Sequence, residues 1–145
     1  MKIVSVNKKQ LDKYCQDPEF LHKSKRPCVL VVRLKYKDRR YNFAIPFRSN
    51  IPAASPKDEY FPLPTRPTTK PGNRHGLHYI KMFPITNDKL QIYHTEGNAA
   101  ATLYKKIIDD NQKRIVLECQ KYLDKYESGD KPKFATDIDL LITLM

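Results

Sequence analysis

Apolar and polar positions change period along the chain, and each change marks an element. Ile3-Val4-Ser5-Val6 predicts a short opening strand, and Asn7 caps a helix running to Cys15 with Leu11, Tyr14 and Cys15 on its inner side. Cys28 to Tyr36 begins as a continuous apolar run and ends in strict alternation, the pattern of a strand buried on both faces at one end. Lys37-Asp38-Arg39-Arg40 turns it, and Tyr41 to Phe47 returns, so residues 28 to 47 predict a hairpin with a basic tip. Gly76 to Ile85 reads as a further strand, and Leu90 to His94 as another beyond the Thr86–Lys89 turn. That makes about five strands.

Between Ala99 and Glu127 neither proline nor glycine intervenes, and Leu103, Ile107, Ile115, Cys119, Tyr122, Leu123 and Tyr126 recur at helical spacing. One long helix or two consecutive ones follow, broken if anywhere at Asp109-Asp110-Asn111. Ser128-Gly129-Asp130 ends them, and Thr136-Asp137 caps a last short helix through Leu144, although Ile138, Leu140, Ile142 and Leu144 also alternate as a strand would. Strands first and helices last predict an α+β domain over residues 1–145. Its expected form is a compact, strongly curved antiparallel sheet or small barrel of about five to six strands, with helices packed against it and a long C-terminal helical region. Seven prolines between Pro46 and Pro71 exclude a helix or a central strand there. The long loop that remains carries Phe47, Tyr60 and Phe61 among Arg48, Lys57, Arg66 and Lys70, which argues against a plain linker.

Length and charge sharpen this picture. The 145 residues suffice for one core without disulfide or metal staples. Lys and Arg number 27 against 16 Asp and Glu, a net +11, and residues 1–95 hold 19 basic and 7 acidic side chains while residues 96–145 hold 8 and 9. So uneven a distribution points to a surface built for a polyanion, with nucleic acid ahead of membrane headgroups. No run of eighteen apolar residues and no signal-peptide core occur, so a cytoplasmic protein is expected. Three cysteines with no CxxC pair indicate buried thiols rather than a disulfide framework or a cysteine zinc site.

The absence of a Walker-type phosphate loop, GxSxG or HExxH leaves nucleotide hydrolysis, serine-hydrolase chemistry and standard zinc sites without support. What remains is polar chemistry at three places: Lys25-Arg26, Arg48-Ser49-Asn50, and Asn73 to Lys81 with His75 and His78. Antiparallel pairing in the hairpin brings residues 26 and 48 to one sheet end, and His75 and His78 join them if the strand from Gly76 starts there. Metal-free RNA cleavage needs this set: a base for the 2′-hydroxyl, an acid for the 5′-oxygen, and cations for the charge that develops on phosphorus. Arg48, Ser49, His75, His78 and Lys81 are therefore the candidate catalytic residues. Lys25, Arg26, Arg39, Arg40, Lys57, Tyr60, Phe61, Arg66, Lys70 and Arg74 are the candidate RNA contacts. Two other readings compete, structural histidines and a zinc site of His75, His78 and His94, the latter lacking an accompanying carboxylate or cysteine; no metal or cofactor is expected.

At these same residues the chain resembles the RNA endonuclease toxins of type III toxin–antitoxin systems, the ToxN, AbiQ and TenpN group, with TenpN nearest by motif. The likeness rests on the opening strand and helix, Lys25-Arg26-Pro27 before an apolar strand, Ala44 to Ile51, Gly76 to Lys81, and Leu103-Tyr104-Lys105 in the helical region. It implies a sequence-selective, metal-independent endoribonuclease; the 2′-hydroxyl attack expected of the residue set above leaves a 2′,3′-cyclic phosphate and a 5′-hydroxyl. Such a toxin processes a repetitive antitoxin RNA, is inhibited by the folded small RNA it releases in a protein–RNA hetero-oligomer, and cuts cellular and phage transcripts in abortive infection. Ser49 falls on the family's active-site serine and Arg26 near a family lysine. Arg48 stands where members have a threonine and Ile51 where they have a lysine, which makes His75, His78 and Lys81 candidates for proton transfer and charge stabilisation. The rival from another class is a noncatalytic RNA-binding module using the same basic groove.

Overall fold

The computed structural model describes residues 2–20, 28–92 and 98–145. Strand β1 (Lys2–Val6) leads into α1 (Lys8–Tyr14), where the Asn7 side chain accepts from the Gln10 N–H at 2.9 Å. The hairpin forms from β2 (Cys28–Tyr36) and β3 (Arg39–Ile51), paired from Val29↔Pro46 to Tyr36↔Arg39. Its turn is only Lys37-Asp38, both at positive φ (49° and 65°), the left-handed pair that matches the twist of a two-residue hairpin. Arg39 and Arg40 therefore belong to the strand. Short strands β4 (Tyr60–Leu63), β5 (Arg74–His78), β6 (Phe83–Ile85) and β7 (Leu90–Ile92) complete an antiparallel sheet of seven strands in the order β4-β5-β3-β2-β1-β7, with β6 also on β3.

The sheet is open rather than a closed barrel, and it has more strands than the pattern predicts. Two of the differences come from proline and one from a turn. Pro46 lies inside β3, where the second neighbour changes from β6 (Asn42–Ala44) to β5 (Phe47–Ile51), a break in the ladder that tolerates a residue without an N–H. Pro62 lies on β4, which ends the strand order, and edge strands accept proline. The expected strand from Gly76 to Ile85 is two strands separated by a 3₁₀ turn at Tyr79–Lys81, so the same β3 pairs with both halves.

The helical region divides where the acidic run suggested. Helix α2 (Ala99–Asp110) is capped by Asn98, and α3 (Gln112–Glu127) starts after Asn111, whose amide donates to the Ile107 carbonyl at 2.7 Å. The last segment is a helix, α4 (Ile138–Thr143), with Asp137 capping the Leu140 N–H; burial at Ile138 and Leu141 shows helical, not alternating, spacing. The long helical region of the expectation is thus two moderate helices and a short one.

Both faces of the sheet centre are covered, as the apolar start of β2 implied: Val29 and Leu30 are each fully buried on opposite sides. Leu30, Leu34, Phe43, Ile45 and Leu77 pack with Ile115, Cys119 and Leu123 of α3. Val29, Ala44 and Phe83 pack with Leu11 and Tyr14 of α1 and Leu141 of α4, closed by edge contacts among Tyr14, Phe20 and Phe83 at 4.9–5.6 Å. Of the three thiols only Cys119 is fully buried, and Cys15 is exposed at the end of α1, which corrects the expectation of buried cysteines. Among the described residues no helix is long and apolar enough to cross a membrane.

Gly76 fixes how β4 sits on β5. A Cβ there would overlap the carbonyl oxygen of Phe61, and the obstacle is backbone. Gly76→Ala is expected to cost about 3 kcal/mol or more, the upper end for overpacking, by urea unfolding. A variant within about 0.5 kcal/mol of the parent, no more than a typical surface change, would show that β4 is not held there.

Candidate active site

The end of β3 and the end of β5 meet on one side of the sheet. Arg48 is opposite Gly76 in the β3–β5 register, and the register shifts between Arg48 and Ile51. His78 ends β5, and the 3₁₀ turn that follows ends on Lys81. These three line an open pocket of about 560 Å³ together with Glu19, Glu59 and the segment Pro132-Lys133-Phe134. It is the hairpin logic of the sequence with a different ending, since the third wall comes from the C-terminal quarter of the chain.

His78 is the centre of this pocket and only 1% exposed. Its Nδ1 is 3.3 Å from an Arg48 guanidinium nitrogen. A guanidinium can only donate, so Nδ1 accepts and the ring proton sits on Nε2. That Nε2 is itself buried and has no hydrogen-bond partner among the described residues. Burial, and then the charges of Arg48 and Lys81, push the His78 pKa down to about 3, so the ring is neutral at physiological pH. Lys81 is 5% exposed and held by Glu19, through its carboxylate at 2.9 Å and its carbonyl at 3.1 Å. Arg48 is half-buried, and burial lowers its pKa. A buried neutral donor flanked by two cations is suited to an anion whose charge offsets theirs.

His75 is elsewhere. It is three residues before His78 on the strand, on the opposite face, with Nδ1 2.9 Å from the Pro64 carbonyl and its ring 4.9 Å from that of Tyr104. A carbonyl only accepts, so Nδ1 carries the proton here, the reverse of His78. His75 lines a separate small cleft with Phe47, Arg66 and Tyr104, and burial lowers its pKa. Two histidines on opposite faces cannot share one ion, which removes the three-histidine zinc reading; His94 lies outside the described residues.

The remaining candidates divide by place. Ser49 follows Arg48 in the irregular stretch of β3, half-buried and outside the pocket lining. Lys25 and Arg26 lie outside the described residues. Arg39 and Arg40 are exposed at the far end of β3, Arg39 nine residues from Arg48, roughly 30 Å at about 3.3 Å per residue. Lys57, Arg66, Lys70 and Arg74 are exposed, with the Lys70 N–H donating to Asn50 at 2.7 Å. Tyr60 and Phe61 are packed in the fold at 8% and 3% exposure rather than offered to solvent, and Phe61 lies 4.9 Å from the Arg114 guanidinium. Glu19, Lys133 and Phe134 line the pocket and were missed, because nothing local in the sequence ties residues 19 and 133 to residue 78. Among the described residues no group of three His, Cys, Asp or Glu side chains is placed to hold a metal ion.

No protein-family model and no curated protein matches the chain. Solved structures do. A chain from a bacterial antiviral system regulated by a processed non-coding RNA superposes with a TM-score of 0.74 at 15% identity, covering 99% of this chain and 96% of that one. AbiQ, a lactococcal anti-phage endoribonuclease of the type III toxin–antitoxin system, superposes at 0.68 and 16% identity over 98% and 93%. A chain from a bacterial type III toxin–antitoxin system, in which a non-coding RNA pseudoknot selectively inhibits the toxin, superposes at 0.73 and 14% over 98% and 94%. The chain has the fold of these proteins over essentially its whole length.

The state of His78 has a measurable consequence for stability. Between its ordinary pKa of 6.5 and its folded value of about 3, the unfolded chain binds a proton that the folded chain does not. The stabilisation tied to the neutral ring is complete above pH 6.5 and is lost as pH falls toward 3, by up to about 1.4 kcal/mol per pH unit. His78→Asn is expected to flatten the fall in unfolding free energy between about pH 6.5 and 4.5. His75 adds a slope of the same sign that parent and variant share. Equal slopes would contradict the buried neutral state.

Proposed function

We propose that the protein is a metal-independent endoribonuclease toxin of a type III toxin–antitoxin system, acting in the cytoplasm and restrained by a folded RNA antitoxin cut from a repetitive precursor. The observation that carries this reading is His78 in the lining of an open pocket with Arg48 and Lys81, its Nδ1 beside the Arg48 guanidinium and its buried Nε2–H without a partner among the described residues. The net charge of +11 and the fold shared with an RNA-cleaving and two RNA-regulated proteins support it.

In the proposed reaction the 2′-oxygen bonds to the adjacent phosphorus as the phosphorus–5′-oxygen bond breaks. A proton leaves the 2′-hydroxyl and another reaches the 5′-oxygen, giving a 2′,3′-cyclic phosphate and a 5′-hydroxyl. Arg48 grips the phosphate through its fork and Lys81 adds a point charge where negative charge develops. Ser49 lies outside the pocket lining, so its proposed part is to set the backbone that carries Arg48 through the shift in register rather than to touch the phosphate. His78 rather than His75 is the proton carrier, since only His78 shares the pocket with both cations. A ring with a pKa near 3 is a weak base, held down first by burial and then by the charges of Arg48 and Lys81; a bound phosphate offsets the charges, and Arg48 turning to it frees Nδ1. Substrate thus raises the basicity that catalysis needs. Lys57, Arg66, Lys70 and Arg74 supply sequence-independent grip on the backbone.

Purified protein is expected to cut single-stranded RNA in EDTA and leave cyclic-phosphate ends. His78→Ala should slow cleavage about 10²- to 10⁴-fold with RNA affinity changed less than about tenfold, because acid–base catalysis acts on the transition state. Binding without any cutting at high protein concentration would make the chain a noncatalytic RNA-binding module. Cutting that requires a divalent ion would overturn the metal-free mechanism.

A further inference from the structure

We propose that α3 carries a second RNA-binding station, joined to the His78 pocket by a continuous groove, which holds the backbone of the same single strand away from the scissile bond. This rests on the ribonuclease reading and names the path of its substrate. The groove is made of three clefts that share walls. The His78 pocket shares Pro56, Glu59 and Pro132 with a neighbour of about 240 Å³. That cleft shares Asp58, Tyr122 and Lys125 with a third of about 290 Å³ against α3.

The third cleft holds four cations, Lys57, Arg114, Lys121 and Lys125, against the carboxylates Asp58 and Glu118. Arg114 is fixed by Glu118 at 2.7 Å and by the Phe61 ring, and Lys125 by Asp58 at 3.1 Å. Lys57 and Lys121 make no ion pair among the described residues, so their charge is available. Tyr122 lines both outer clefts, is 6% exposed, and its buried hydroxyl has no partner among the described residues. A buried hydroxyl left without a partner is unfavourable, and a ligand in the groove can supply one.

The cleft against α3 sets four cations against two carboxylates, whereas the joining cleft sets Asp58, Glu59 and Asp130 against Lys125, and a nucleotide strand, which carries donors as well as phosphates, fits that alternation better than other polyanions. Phosphates meet the lysines, while 2′-hydroxyls and base amino groups donate to Asp58, Glu59 and Glu118, donors that an acidic peptide lacks along its side chains. Clefts of a few hundred Å³ take one strand and not a duplex.

The test measures binding of oligoadenylates of roughly four and roughly twelve nucleotides, within the range of single-strand site sizes and confirmed uncut on a gel, against salt. In the parent, lengthening the RNA is expected to raise affinity and steepen the log–log salt slope. In folded Lys57→Ala/Lys121→Ala protein the extra slope gained on lengthening should shrink by about 1.4, two contacts at about 0.7 each. Tyr122→Phe should lose part of the affinity gained on lengthening, several-fold, with the salt slope kept, because no charge is removed. A double variant with the parent's slope on the longer RNA would overturn the station, as would an equal loss on both lengths, which marks a general field. Equal weakening of an oligo-aspartate of matching charge would give the cleft to a protein partner and overturn the assignment. If the parent cuts RNA yet gains nothing with length, the station fails and the ribonuclease reading stands; if it binds neither RNA, both fail.

Discussion

Strand β3 is the constraint on which the rest depends. Along one edge it pairs with β2, and along the other it takes β6 and then β5, so its thirteen residues organise most of the sheet. That double use forces the chain after His78 to leave the sheet for one turn and return. The turn at Tyr79–Lys81 keeps a lysine in the same pocket as the histidine, and the β3–β5 pairing sets Arg48 beside the ring. Pro46 at the change of partners and Gly76 under the Phe61 carbonyl are the local residues that permit this geometry. The site is thus a by-product of how one long strand is shared.

Chemistry follows from what this packing does to charge. Four basic side chains, Arg48, His78, Lys81 and Lys133, line one pocket, and their surroundings differ. Lys81 is compensated by Glu19, whereas His78, buried and then also facing the charges of Arg48 and Lys81, gives up its proton. The result is a neutral imidazole whose remaining N–H is buried without a partner among the described residues, in surroundings that favour an anion. In the proposed ribonuclease the phosphate completes the electrostatics of the site, so proton transfer becomes possible when substrate is present.

Much of this was legible in the sequence. The double-sided burial of β2, the hairpin, the caps at Asn7 and Asp137 and the helix break near Asn111 each follow from local pattern, because local sterics and hydrogen bonding decide them. Arg48, His78 and Lys81 were legible as neighbours because antiparallel pairing converts sequence order into position. His75 was grouped with them wrongly on spacing alone, since a three-residue step along a strand reverses the face. Glu19 and Lys133-Phe134 reach the pocket through tertiary packing that no local pattern encodes. Residues 96–145 are close to neutral, yet three of the four cations of α3, Arg114, Lys121 and Lys125, line one cleft, an arrangement a charge count cannot see.

The most direct test of the central claim is the titration of the His78 ring, followed by imidazole nitrogen chemical shifts in the free protein and in complex with an RNA blocked at the 2′-position. The account predicts a neutral ring protonated on Nε2 throughout pH 5 to 8 when free, and a pKa raised into or toward that range when a phosphate occupies the pocket. A ring that titrates near pH 6.5 in the free protein, or one whose pKa does not move when RNA binds, would contradict it.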